Sequence, residues 1–134
     1  MTDQALSLAG RRVLIIEDNE ENRRLLRFVL QLENAEVLEA EDAEKGIPMA
    51  LEEQPDLILM DMHMPGMDGL AATRLLRAEP LTREIPIVIV TASAMTHDQG
   101  AILASGCDDV ITKPIEPLSF VSRIIPFLRP DSKS

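Results

Sequence analysis

Residues 57–69 read LILMDMHMPGMDG, four apolar side chains in a row followed at once by Asp61. The LILM run shows no polar alternation, so a strand formed from it is covered on both faces, as in a parallel sheet lying between helices. Two further runs share this character, VLII at 13–16 and IVIV at 87–90. Weaker strands are expected at 36–40 (EVLEA) and 109–112 (DVIT), the first nearer a sheet edge because polar and apolar residues mix in it. Segments of helical period fall between them, near 20–32, 43–53, 68–78, 96–105 and 117–128. The pattern is βα repeated five times, which predicts an α/β fold built on one parallel sheet.

Local signals agree. In 20–32, Leu25, Leu26, Val29, Leu30 and Leu32 mark a buried stripe, with Arg23, Arg24 and Arg27 off it. Asp42 suits the N-cap of the second helix, Pro55 helps end it, and Gly106 fits the position just past the fourth. The last helix is apolar over much of its circumference (Leu118, Phe120, Val121, Ile124, Ile125, Phe127, Leu128), so its own domain buries it or part of it serves a partner or a dimer. Pro126 is expected to fray its end.

The 134 residues fit one domain, expected over 11–128 between a flexible arm (1–10) and a flexible tail (129–134). With 46% hydrophobic residues the chain can bury a core. Thirteen basic against 23 acidic residues give a net charge of −10, the wrong sign for gripping a phosphate backbone, so no direct nucleic-acid contact is expected. No stretch suits a secretory leader or a membrane span, and Cys107 is the only cysteine, so a cytoplasmic location without disulfides is expected. Cys107 reads as a small buried hydrophobe, His97 as an exposed residue at a helix start, and Met60, Met62, Met64 and Met67 as packing residues.

Open parallel sheets bind ligands beyond the carboxyl ends of their strands, where strand order reverses. Glu17 and Asp18 follow VLII, Asp61 follows LILM, Thr91 follows IVIV and Lys113 follows DVIT. In the order 2-1-3-4-5, strands 1 and 3 are neighbours about 5 Å apart, which gathers Glu17, Asp18 and Asp61 into one acidic cluster. Such a cluster calls for a cation; hard oxygen ligands beside a phosphate suit Mg²⁺, and Lys113 supplies a second positive charge. Any one acid after a strand is ordinarily a solvated loop residue or a cap, but the whole set together is hard to obtain by accident.

The blocks IIEDNEENRRLL, LILMDMHMPGMDG, IVIVTASAM and GCDDVITKPI resemble the signature blocks of response-regulator receiver domains, in order and in spacing, over residues 12–128. The resemblance implies a flavodoxin-like fold: a single doubly wound five-stranded parallel sheet, order 2-1-3-4-5, with five helices. It implies that Glu17 and Asp18 hold Mg²⁺, that Asp61 is phosphoacceptor and metal ligand, and that His63 adds its backbone carbonyl. Thr91 would bond a phosphoryl oxygen; Lys113 would pair with Asp61 before transfer and with the phosphoryl group after it. Pro114, usually following a cis bond in this family, and Ala92 are supporting residues. The phosphodonor would be a histidine kinase or a histidine phosphotransfer protein, docked near the first helix. Output would pass to a protein partner, or a second copy, through the face of helix 4, strand 5 and helix 5. The chain would be a switch that assists its own phosphorylation and dephosphorylation rather than an enzyme.

Two positions depart from the family pattern. The acidic pair is Glu-Asp where many receivers carry Asp-Asp, and Val110 stands where a switch Tyr or Phe is usual; the chain has no Tyr or Trp. His63 and Ser93, each two residues past a site residue, are candidates for tuning phosphate lifetime, against the plainer reading of exposed loop residues. A haloacid-dehalogenase phosphatase would need a second Asp where His63 stands, and a flavin carrier would not place EDNEEN in its phosphate loop. A receiver-like binding module whose output ignores phosphorylation is the competing class. The EDNEEN form is similar to phosphorelay, hybrid-kinase and single-domain cell-division receivers, so the chain reads as a stand-alone regulator or as the receiver of a larger kinase.

Overall fold

The computed structural model describes residues 7–92 and 99–128. Five strands, β1 (Arg12–Ile16), β2 (Glu36–Ala40), β3 (Leu57–Asp61), β4 (Ile87–Thr91) and β5 (Asp109–Thr112), form one parallel sheet in the order β2-β1-β3-β4-β5. The helices are α1 (Glu20–Leu32), α2 (Ala43–Glu53), α3 (Gly69–Ala78), α4 (Gln99–Ala104) and α5 (Pro117–Ile124). The parallel sheet expected from the βα pattern, and the flavodoxin-like order that the resemblance implied, are therefore present.

The unalternating strands are explained by two cores. Successive side chains point to opposite faces of a sheet. Val13, Ile15, Leu57, Leu59, Val88 and Val90 pack beneath α1 and α5, whereas Leu14, Ile16, Ile58, Met60, Ile87 and Ile89 pack against α2, α3 and α4. Both kinds of position are buried, so both must be apolar. Met62 and Met64 join the second core, with Met67 and the half-buried Cys107 at its margin.

Side chains cap the helix starts: Asn19, Asp42, Asp68 and Glu116 each accept a backbone N–H from the first turn of α1, α2, α3 and α5. Gln54 ends α2 in the left-handed region (φ 50°) just before Pro55, and Gly106 (φ 93°) follows α4.

Three expectations need correction. Leu32 does not belong to the buried stripe of α1 but is 63% exposed, as Phe28 also is in large part. At 100° per residue Leu32 lies about 110° from the centre of the Leu26–Val29–Leu30 face. The last helix stops at Ile124 and tightens into a 3-10 turn over Ile125–Phe127, since Pro126 has no N–H to continue the ladder. Its apolar surface is divided: Phe120, Ile124 and Leu128 are buried by the domain itself, while Leu118 is 81% exposed. Third, the arm expected over 1–10 is anchored at its inner end, where Leu8 is buried in the first core and the Gly10 N–H reaches the Asn34 carbonyl at 2.9 Å.

Candidate functional site

The chain leaves β1 toward β2 on one side and later reaches β3 on the other, so strand order reverses between β1 and β3 and a crevice opens beyond their carboxyl ends. Glu17 and Asp18 stand at the end of β1 and Asp61 closes β3. One carboxylate oxygen from each lies within 4.8 Å of the others. From the far side Lys113, just past β5, puts Nζ 3.1 Å from Glu17 Oε1 and 3.3 Å from Asp61 Oδ1.

The cluster is partly removed from water. Glu17 is 1% exposed and Asp61 5%, whereas Asp18 is open to solvent. Burial first, and the charge of Glu17 second, push the Asp61 carboxyl up from the usual 3.8 to about 7, against the opposing pull of Lys113. Burial alone would lower the Lys113 ammonium, but Asp61 and Glu17 outweigh it and its pKa rises.

Thr91 ends β4, is fully buried, and its carbonyl accepts the Lys113 N–H at 2.8 Å. The Lys113–Pro114 peptide bond is cis. Ala92 is exposed beside Thr91, and His63 is exposed two residues after Asp61. Val110 pairs with Ile89 in β5 and packs, half-buried, against the second core. Ser93 and His97 lie outside the described residues.

Three contributors escaped the sequence reading. Arg23 donates to the Glu17 carbonyl at 2.9 Å, and Glu39 holds Arg23 from the other side at 3.4 Å. Gly69 lets α3 touch the end of β3, its N–H reaching the Met62 carbonyl at 2.8 Å. Their only sequence signals were an arginine slightly off the apolar stripe and a glycine directly after the Asp68 cap.

The residues present fit a divalent cation. With all three acids ionised, three carboxylates face one ammonium and two negative charges remain uncompensated. Glu17 Oε1 is buried and, among the described residues, receives no hydrogen bond, although Lys113 Nζ is close by. An acceptor in that state is costly unless a cation or donor completes it.

Comparison with known proteins agrees with this geometry. The response regulator receiver domain profile matches residues 13–125. The chain is 40% identical over 120 residues to the phosphate regulon transcriptional regulatory protein PhoB of Klebsiella pneumoniae, covering 90% of this chain and 52% of that protein. It is 37% identical over 116 residues to the polar-differentiation response regulator DivK of Brucella anthropi, covering 87% of this chain and 94% of the relative. It thus spans about half the length of PhoB and nearly all of DivK. Among solved structures, the receiver domain of the sensor histidine kinase PA1611 from Pseudomonas aeruginosa, with a magnesium ion coordinated in its active site cleft, superposes with a TM-score of 0.80 at 32% identity over 87% of this chain and 95% of that one. Profile, relatives and fold agree over most of its length, and the chain belongs to the response regulator receiver domain family of two-component signalling.

Proposed function

We propose that the chain accepts a phosphoryl group from a phosphohistidine onto Asp61, with Mg²⁺ in the acidic crevice, and signals by docking to a protein partner. The observation that carries this reading is the convergence of Glu17, Asp18, Asp61 and Lys113 on one crevice. Glu17, Asp18, Asp61 and the His63 carbonyl would hold the ion, which supplies charge neutralisation for the phosphoryl oxygens. An Asp61 carboxylate oxygen forms the new bond to phosphorus as the phosphorus–nitrogen bond breaks, and the electron pair leaves with the imidazole. Lys113 faces the growing phosphoryl charge, and the Thr91 hydroxyl bonds a phosphoryl oxygen afterwards. Since a carboxylate is a modest nucleophile, this placement is most of what the protein contributes.

Donors in this family are histidine kinases or histidine phosphotransfer proteins. The face formed by α4, β5 and α5 suits an output partner or a second copy, since Leu103 and Leu118 are 78% and 81% exposed there. With Val110 in place of an aromatic ring, the response runs through Thr91 and the backbone around it. His63 remains a candidate for setting phosphate lifetime.

The test is incubation with acetyl phosphate and Mg²⁺ followed by intact-mass measurement. One phosphoryl mass is expected, removed by hydroxylamine as an acyl phosphate must be, and absent when EDTA is present. A stable adduct on a hydroxyl residue, or none at all, would defeat the reading.

The raised carboxyl of Asp61 also sets a pH dependence. Below about pH 7 Asp61 holds a proton that a metal must displace, so apparent Mg²⁺ affinity should fall toward tenfold per pH unit as pH drops and level off above that value. Calorimetric titration in buffers of different ionisation enthalpy should show proton uptake by buffer at about pH 6 and little at about pH 8. A Mg²⁺ affinity unchanged across that range contradicts the expectation.

A further inference from the structure

We infer that Arg23 is a positioning residue for the acidic pair: braced by Glu39, it holds the Glu17 carbonyl and so presets the Glu17 and Asp18 side chains for a divalent cation. The inference deepens the proposed function and rests on the crevice being a cation site.

The bonds around Glu17 carry it. Its N–H is given to the Ala40 carbonyl at the end of β2, 3.1 Å away. Its carbonyl accepts from an Arg23 terminal nitrogen at 2.9 Å, and its carboxylate Oε2 accepts the Asn19 N–H at 3.1 Å. The peptide between Glu17 and Asp18 therefore cannot rotate without breaking the Arg23 bond, and that peptide decides where both side chains point. Arg23 lies in the second turn of α1, and long helical side chains lean back toward the N-terminus, which is the direction of Glu17.

The guanidinium is itself held. Arg23 Nε lies 3.4 Å from Glu39 Oε1, and the other oxygen of Glu39 accepts from Arg27 at 2.7 Å. Arg23 and Glu39 are both largely shielded from solvent. An arginine has the planar fork to serve two acceptors at once, which a lysine ammonium does less well.

Charge and position make opposite demands here, and that separates them experimentally. A cation beside an acidic pair weakens binding of a second cation by repulsion, so removing it should tighten Mg²⁺ binding if charge alone matters. Loss of a group that orients metal ligands instead weakens binding, by about tenfold or more in other metal sites.

The experiment is Mg²⁺ titration of the full chain followed by calorimetry and by the amide signals of residues 17–19, for wild type, Arg23→Ala and Arg23→Lys. Arg23→Ala should bind Mg²⁺ about tenfold more weakly despite its lost positive charge. Arg23→Lys, with the charge and one donor kept, should recover part of the affinity. Phosphorylation by acetyl phosphate should return near the wild-type rate at saturating Mg²⁺, because Arg23 acts through the metal ligands. Equal or tighter Mg²⁺ binding by Arg23→Ala overturns the inference while leaving the proposed function standing. Should Arg23→Ala not fold, Arg23→Lys with affinity and amide signals identical to wild type overturns it equally. A wild-type chain that binds no Mg²⁺ overturns both.

Discussion

Asp61→Asn is expected to abolish phosphoryl uptake from acetyl phosphate while making the metal-free protein more stable, not less. The first effect follows from chemistry: the amide has no anionic oxygen to form the acyl phosphate, and among the described residues Glu17 is the only other acid paired with Lys113. The second follows from electrostatics. Asp61 ionises with difficulty because it is buried beside Glu17, and its folded value of about 7 stands above the usual 3.8. Between those values the folded chain binds a proton that the unfolded chain has lost, so stability falls as pH rises through the window. The penalty of ionised Asp61 is complete above about 7 and absent at the acid end. Asparagine carries no such penalty, so the gain should be larger at about pH 8 than at about pH 5. If about 1 kcal/mol is recovered, the melting midpoint should rise by about 3–5 °C. Unchanged phosphoryl uptake would remove Asp61 from its role; a fall in melting midpoint at the higher pH would show that the Lys113 pair outweighs the crowding of the acids.

The same crevice shows which features a sequence displays and which it conceals. Strands buried on both faces advertise themselves because every position must be apolar, and the residues that interrupt those runs, Glu17, Asp61 and Thr91, are the ones the fold brings to the crevice rim. Asp61 and Thr91 even extend their strands by one residue, since the ladder continues through Asp61 opposite Val90 and Thr91 opposite Thr112. The cap at Asp42 likewise acts on a neighbour three residues away and needs no tertiary information.

What stayed hidden depends on partners distant in sequence or on backbone atoms. Leu32 looked buried because leucine is apolar, yet among the described residues no element buries that side of α1; composition cannot say where a neighbour ends. Arg23 looked like a solvated charge, and its acceptors, a main-chain carbonyl and a β2 carboxylate, carry no mark in the α1 segment. Arg77 is a parallel case, tying α3 to the loops around it through the carbonyls of Arg83, Ile85 and Gly106 and the carboxylate of Asp108. Periodicity reports which face is apolar; it is silent about bonds to main-chain oxygen.

Gly69 is the sharpest instance, and Gly69→Ala should be the more damaging of two glycine replacements in the same loop and helix start. A Cβ at residue 69 would lie 2.2 Å from the Asp61 backbone oxygen and 2.9 Å from Met62 Cα. Both are main-chain atoms at the end of a central strand, so neither can swing aside as a side-chain tip would. Either α3 retreats, breaking the Gly69 N–H bond to the Met62 carbonyl, or Asp61 moves. A cost of about 3 kcal/mol is expected, which lowers the melting midpoint by about 10 °C. On the proposed function, misplacing Asp61 should also slow phosphorylation at saturating Mg²⁺ by about tenfold to a hundredfold. Gly66 provides the contrast: it has φ +78° but nothing within 4 Å of an added Cβ, so Gly66→Ala carries only the left-handed backbone cost of about 1 kcal/mol and should leave phosphorylation nearly intact. Measuring both variants by thermal unfolding and phosphorylation rate separates close approach from backbone conformation. A Gly69→Ala protein as stable and as reactive as wild type would mean that α3 does not press on the end of β3 in solution, and that the β3–β4 ladder and Lys113 place Asp61 without it.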